Sequence, residues 1–199
     1  MNYENIDRWY TRNIDIPKRT IYFGPWQPNE EMIADDKSWE VNDFTIQNII
    51  KGLYILEQSK VAPITIIWTS YGGDWDAGMS LYDYIKEIKS PVTMKAYGRI
   101  RSMGTIIMQA CKRRLLSPHC LFMIHYGTSG HETTHSKDLI NFAEIEKMNN
   151  NIMENIYLKQ IKKKKKNYTQ GKLSEFMKYD RYLIPEKAIE MGLADGVIK

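Results

Sequence analysis

Two cysteines among 199 residues, Cys111 and Cys120, are too few to staple a chain of this length. A disulfide scaffold is excluded, and a reducing compartment is expected. Seven prolines and 12 glycines exclude a collagen-like or broadly disordered chain. No apolar run reaches the ~18–20 residues a bilayer-crossing helix requires, so no membrane partner is expected. The first twenty residues, Met1 to Thr20, mix Asp, Glu, Arg and Asn without an apolar stretch, and no secretory signal is expected there. A strong excess of one charge is missing too. The net charge is +4, the run Lys162–Lys166 supplies five positive charges, and the remainder sums to −1. A nucleic-acid partner is therefore not expected. No internal repeat is visible, and the lysine run is the only low-complexity segment.

What is present is 43% apolar and 12% aromatic residues, enough for a hydrophobic core in a single domain spanning 1–199. Arg19–Phe23 reads as a short strand and Trp26–Trp39 as a polar surface loop. Phe44, Ile49, Ile50, Leu53, Tyr54 and Leu56 recur at helical spacing. Ile64–Trp68, behind Pro63, reads as a buried strand ending in a turn at Tyr71-Gly72-Gly73. Met79, Leu81, Tyr82, Ile85 and Ile88 mark a second helix, stopped near Ser90-Pro91. Val92–Tyr97 reads as a strand, Gly98 as a break and Ser102–Ala110 as an apolar helix. Leu115-Leu116 and Leu121–Ile124 are further strands. Leu139, Phe142, Ile145, Met148, Ile152, Met153 and Ile156 lie on one long helix, and two short helices and Gly196-Val197-Ile198 follow. This alternation predicts an α/β fold with crossover-connected strands. A helix from Lys137 to about Ile161 would run ~35 Å, against a domain radius near ~16 Å. It should project and seek a partner, which makes oligomerisation the simplest consequence.

Three segments carry candidate chemistry. Ser102 sits where a strand gives way to an apolar helix, and a helix N-terminus offers unpaired N–H groups that could hold an oxyanion. The plainer reading is a helix cap, since serine is favoured there. His125 ends the strand Leu121–Ile124, where active sites of α/β sheets tend to lie, although a lone histidine is more often structural. Asp180 follows a short helix and could orient an imidazole, or it could be a solvated helix-end acid.

Together these segments resemble ClpP, the serine peptidase family of the Clp protease. Thr69-Ser70-Tyr71-Gly72-Gly73 is followed by Ala77-Gly78-Met79-Ser80-Leu81-Tyr82-Asp83. Then come Gly98-Arg99-Ile100-Arg101-Ser102-Met103-Gly104 and Met123-Ile124-His125. Last are Asp180-Arg181-Tyr182-Leu183, Pro185-Glu186-Lys187-Ala188 and Gly192-Leu193-Ala194-Asp195. The resemblance runs from Ile64 to the C-terminus, with a looser match over Lys18–Gln58. It implies Ser102 as nucleophile, His125 as general base and acid, and Asp180 as the residue orienting the imidazole. The backbone N–H groups of Gly73 and Met103 would form the oxyanion hole. An extended peptide would bind between Asp74 and Trp75 on one side and Gly127 and Thr128 on the other. It also implies a ClpP/crotonase fold and two stacked heptameric rings joined by a handle helix at about 137–166. A Clp-family ATPase unfoldase would be the partner, ATP being used only there. No metal or other cofactor is implied, and substrates would be unfolded polypeptides or peptides.

The sequence departs from the family in several places. Arg99, Ile100 and Arg101 stand where small or neutral residues precede the serine, placing two guanidiniums beside the nucleophile. Gly127 stands in place of a proline, and Tyr179 in place of an arginine that contacts the opposite ring. Trp26–Trp39 and the lysine run read as insertions. These departures suggest a divergent member, a viral or accessory copy. The reducing compartment expected from the cysteines is then the cytoplasm, the host's if viral. Arg99 and Arg101 motivate an alternative function, a catalytically silent ring subunit that modulates a host complex. A third reading is a zinc peptidase, because His131-Glu132-Thr133-Thr134-His135 spells H-E-x-x-H. It lacks a buried helix and a third ligand at the expected spacing. Cys111 and Cys120 match no metal spacing and are expected as buried thiols. The lysines are expected as a solvated helix end.

Overall fold

The continuous apolar runs of the sequence become the middle of a mostly parallel sheet. The computed structural model describes residues 13–24, 39–127 and 135–199. The sheet is ordered β1 (Ile14–Asp15), β2 (Thr20–Tyr22), β4 (Ile64–Ser70), β6 (Val92–Arg101), β7 (Arg113–Leu116) and β10 (Gly196–Val197). All neighbours along this path are parallel except the β1–β2 pair. Two further strands, β8 (Leu121–Ile124) and β9 (Arg181–Leu183), lie off the path. The first pairs with β6 in parallel, and β9 pairs with β8 antiparallel. Parallel neighbours require crossover helices, and these are α1 (Asp43–Ser59), α2 (Trp75–Glu87) and α3 (Met103–Met108).

Gly98 does not interrupt its strand. β6 continues through it, with Gly98 at φ +65° bending the backbone. Before the bend Thr93–Ala96 pairs with β7, and after it Arg99–Arg101 pairs with β8. The register against β4 slips at the same place. One edge of the strand thus serves two partners in turn, and its second half delivers Ser102 beside the strand that delivers His125. The Tyr71-Gly72-Gly73 turn also differs from expectation. Gly72–Gly73 forms a short strand, β5, parallel to β3 (Glu40–Val41). Ser70 fixes it: its hydroxyl donates to the Trp39 carbonyl at 2.7 Å and accepts from the Gly72 N–H at 3.0 Å.

The caps explain where the helices start. Asn42 and Thr45 exchange side-chain and backbone hydrogen bonds in a capping box on α1, and Asp74 accepts from the Ala77 N–H on α2 at 2.8 Å. The long helix α4 runs Ser136–Lys164, 29 residues and about 43 Å. It begins one residue before the expected bound and stops two short of it, with Lys162, Lys163 and Lys164 in its last turn, where cations complement the dipole. α5 (Gln170–Met177) and α6 (Pro185–Met191) complete the chain before β10. Residues 26–38 of the expected loop lie outside the described residues, as do 131–134 of the H-E-x-x-H segment. Among the described residues there is no cluster of metal-binding side chains, and no helix is long and apolar enough to cross a membrane.

The core sits between the sheet and its helices. Trp68, fully buried on β4, stacks on Phe23 with ring centroids 3.9 Å apart. At the other end of β7, buried Arg114 donates to both carboxylate oxygens of Asp195, at 2.5 and 3.1 Å, to Gln109 Oε1 at 2.6 Å and to the Gly192 carbonyl at 3.0 Å. The paired Arg114 guanidinium and hydrogen bonds more than offset burial and hold the Asp195 carboxyl below its usual pKa. Both cysteines are buried free thiols, pushed up to about 12 by burial, so neither is a thiolate nucleophile.

Candidate active site

Ser102 does not cap the helix it precedes. Its side chain makes no capping hydrogen bond, and its backbone lies at φ +48°, ψ −124°, a region non-glycine residues rarely adopt. Three hydrogen bonds hold the turn. Ser102 N–H donates to the Met123 carbonyl at 2.9 Å, and the Ser102 carbonyl accepts from Thr105 N–H at 2.9 Å and from its hydroxyl at 2.6 Å. A sharp strand-to-helix turn of this kind pushes a hydroxyl out of the sheet end instead of folding it back on the helix.

Gly72 and Gly73 are dictated by this arrangement. A Cβ at Gly72, φ +108°, would lie 2.6 Å from the Ser102 Cβ, and one at Gly73, φ +143°, would lie 2.3 Å from the Val41 carbonyl oxygen. The glycine pair therefore makes room for the serine and for β3, a tighter demand than the approach of a substrate alone.

The three side chains singled out in the sequence converge. Ser102 Oγ lies 2.8 Å from His125 Nε2, and His125 Nδ1 lies 3.1 Å from Asp180 Oδ1. A carboxylate only accepts hydrogen bonds, so Nδ1 carries the ring proton and Nε2 is left to accept the serine O–H. Asp180, just before β9, is about half exposed, while the His125 side chain is largely covered. The β8–β9 pairing, with Ile124 opposite Arg181, brings histidine and aspartate together across 55 residues of chain.

A cleft of about 500 Å³ opens beside the serine. It is lined by Gly73, Asp74, Trp75, Met103 and Gly127, all expected there, together with Ser102 and His125. Thr128 lies outside the described residues. The remaining wall comes from α3 and α4: Ile106, Phe142, Glu146, Asn149, Asn150 and Met153. The helical spacing of Phe142, Glu146, Asn149 and Met153 could have identified this wall, since it places them on one face of α4.

Arg99 and Arg101 are not part of the cleft wall, contrary to the expectation of two guanidiniums beside the nucleophile. Buried Ile100 separates them on β6, so strand alternation turns both the other way. The Arg99 guanidinium sits 3.8 Å over the Tyr71 ring, and that of Arg101 is 5.3 Å from the rings of both Tyr71 and Tyr182. The register places Arg101 beside Met123, and Met123 beside Tyr182, in one row across the sheet.

A serine–imidazole–carboxylate relay at a strand-to-helix turn is the arrangement of an acyl-transfer hydrolase. Comparison with known proteins agrees: a family model described as Clp protease matches residues 35–199. The chain belongs to the Clp protease family. It is similar to the ATP-dependent Clp protease proteolytic subunit 1 of Chlamydia caviae, 32% identical over 163 residues that make up 79% of this chain and 82% of that protein. It is also similar to proteolytic subunit 2 of Treponema denticola, 28% identical over 163 residues covering 80% and 78% of the two chains. Its fold matches that of a ClpP1 mutant from Listeria monocytogenes, with TM-score 0.74 and 24% identity over 92% of this chain and 93% of that one. The α/β fold is therefore that of the Clp proteases. As a member of the family, the chain is a proteolytic subunit of the serine endopeptidase type, a hydrolase acting in an oligomeric chamber.

Proposed function

We propose that Ser102, His125 and Asp180 carry out peptide-bond hydrolysis through an acyl-enzyme. The supporting observation is the 2.8 Å contact from Ser102 Oγ to a His125 ring whose other nitrogen faces Asp180 at 3.1 Å. Ser102 Oγ attacks the scissile carbonyl carbon while its proton passes to His125 Nε2. Asp180 keeps the ring in the required tautomer and stabilises the imidazolium. The tetrahedral oxyanion is held by the backbone N–H groups of Gly73 and Met103, the second at the start of α3. Collapse expels the amine, which takes the proton from Nε2. Water then attacks the acyl carbon by the reverse proton path and frees Ser102.

The substrate is an extended polypeptide lying between Asp74-Trp75 and Gly127-Thr128, where main-chain hydrogen bonds tolerate many sequences. In this reading residues 1–199 act as one domain, and fourteen copies assemble as two stacked heptameric rings joined through α4. A Clp-type ATPase supplies unfolded chains, and the complex works in the cytoplasm. The subunit itself needs no metal or other cofactor. A catalytically silent subunit loses its motivation, because Arg99 and Arg101 turn away from the cleft.

The decisive measurement is hydrolysis of a short fluorogenic peptide by assembled wild type and Ser102→Ala. We expect the variant to lose at least about a thousand-fold in kcat. Equal rates in the two proteins would remove Ser102 from the chemistry.

A further inference from the structure

A buried carboxylate lies beside the triad without belonging to it. Glu154, on α4, is only 5% exposed, yet its oxygens accept hydrogen bonds from three side chains on two other segments. Tyr126, the residue after His125, donates its hydroxyl to Oε1. Ser174 donates to the same oxygen at 2.7 Å, and Gln170 donates to Oε2 at 2.6 Å. Ser174 and Gln170 lie on α5, the helix that leads directly into Asp180. One anchor on α4 therefore holds the chain at both ends of the His125–Asp180 contact.

A purely structural polar cluster would be indifferent to the triad. The connections here are short. His125 and Tyr126 are adjacent in the chain, and the Tyr126 ring packs against the core while its hydroxyl is tied to Glu154. On the other side, only Lys178 and Tyr179 separate the end of α5 at Met177 from Asp180. Asp180 itself is about half exposed and makes one contact with the ring, so its position depends on the segments that deliver it. Side chains in a reacting constellation must be held to within fractions of an ångström. Elsewhere the turn is similarly fastened to α4, because the Tyr157 hydroxyl lies 2.6 Å from Thr105 Oγ1, which also donates to the Ser102 carbonyl.

We infer that Glu154 is a positioning residue for the peptidase reaction: by gripping Tyr126 and α5 together it makes the alignment of His125 and Asp180 depend on the placement of α4. The inference rests on the assignment of Ser102, His125 and Asp180 as the catalytic residues.

The test compares full-length wild type, Glu154→Gln, Tyr126→Phe, the double variant and Ser102→Ala, all taken from the assembled fraction of a sizing column. Two quantities are measured: kcat and KM on a short fluorogenic peptide, and the rate at which a small fluorophosphonate labels Ser102. The probe is too small to use the extended subsites, so its rate reports the serine–histidine pair. Glu154→Gln should lower kcat and labelling rate together by about ten-fold, with KM within about two-fold. Tyr126→Phe should lower the same two quantities, and the double variant should be no worse than Glu154→Gln. Labelling of Glu154→Gln at the wild-type rate would overturn the inference, as would a change confined to KM. If Glu154→Gln does not assemble, Tyr126→Phe decides: it keeps the carboxylate and two of its donors, and a wild-type labelling rate there would overturn the inference equally. Wild type labelled no faster than Ser102→Ala would instead bring down the underlying assignment, a distinct result.

Discussion

The two halves of α4 are built to different rules. From Met153 to Ile161 the helix is interior: Met153, Glu154, Tyr157, Leu158 and Ile161 are all buried. Before Met153 no residue of the helix is buried, and Leu139, Ile140, Ile145 and Met148 are between 48% and 61% exposed. Four large apolar side chains are thus left exposed within ten residues of one helix, a concentration that suits contact with a partner. One half supports the fold, and the other half is the part that, in the proposed assembly, meets a second ring. The hydrophobic pattern runs unbroken through both, so periodicity alone cannot distinguish a core-facing helix from a partner-facing one.

The largest effect should come from the outer half. Replacing Ile140 and Ile145 together by Asp should shift the particle to small species in analytical ultracentrifugation and lower peptidase activity more than ten-fold, with helix content unchanged. Intact particles in that variant would show that this surface joins nothing. Next in size is the inner half, where Ile161→Ala should cost about 3 kcal/mol in urea unfolding, because Ile161 is fully buried. A loss below about 1 kcal/mol would place the inner half outside the cooperative core. Tyr157→Phe should cost about 1 kcal/mol, since it removes the hydroxyl facing Thr105 while Thr105 keeps its bond to the Ser102 carbonyl.

The smallest effect is in the acid limb. Burial raises the Glu154 pKa, but the hydrogen bonds from Tyr126, Ser174 and Gln170 outweigh it and leave the carboxyl below its ordinary value. A folded pKa below the unfolded one contributes stability that is complete above the unfolded pKa of about 4.3. That contribution is lost as pH falls through the folded value. Glu154→Gln should therefore flatten the decline in urea midpoint between about pH 5 and about pH 3. An unchanged slope would show that Glu154 gains nothing from its ionised form.

Much of the catalytic geometry was legible in the sequence, because each component ends or follows a strong apolar segment. Ile64–Trp68, Leu121–Ile124 and the apolar stretch after Ser102 appear close to where contiguous hydrophobicity places them. Their motifs named the three residues that meet. Other features were hidden for physical reasons. Gly98 read as a stop because glycine usually breaks strands, whereas here a positive φ lets one strand bend and change partners. The β3–β5 pairing joins two-residue strands 30 residues apart, too short to leave a pattern. Arg99 and Arg101 were judged by closeness in the chain, although the apolar Ile100 between them marks the face they avoid. The Glu154 cluster had no signal at all. A glutamate on a long polar helix looks solvated until the Tyr126 hydroxyl and α5 are folded over it.

The near-collision between position 72 and the serine β-carbon ranks the changes this centre can accept. Exchanging the hydroxyl of Ser102 for a thiol alters the reacting atom and leaves the surrounding backbone alone. Adding one methyl group at Gly72 would dislodge the seat itself. The attacking atom is thus more open to replacement than the featureless residue behind it, and a search for altered chemistry should begin at 102 and leave 72 untouched.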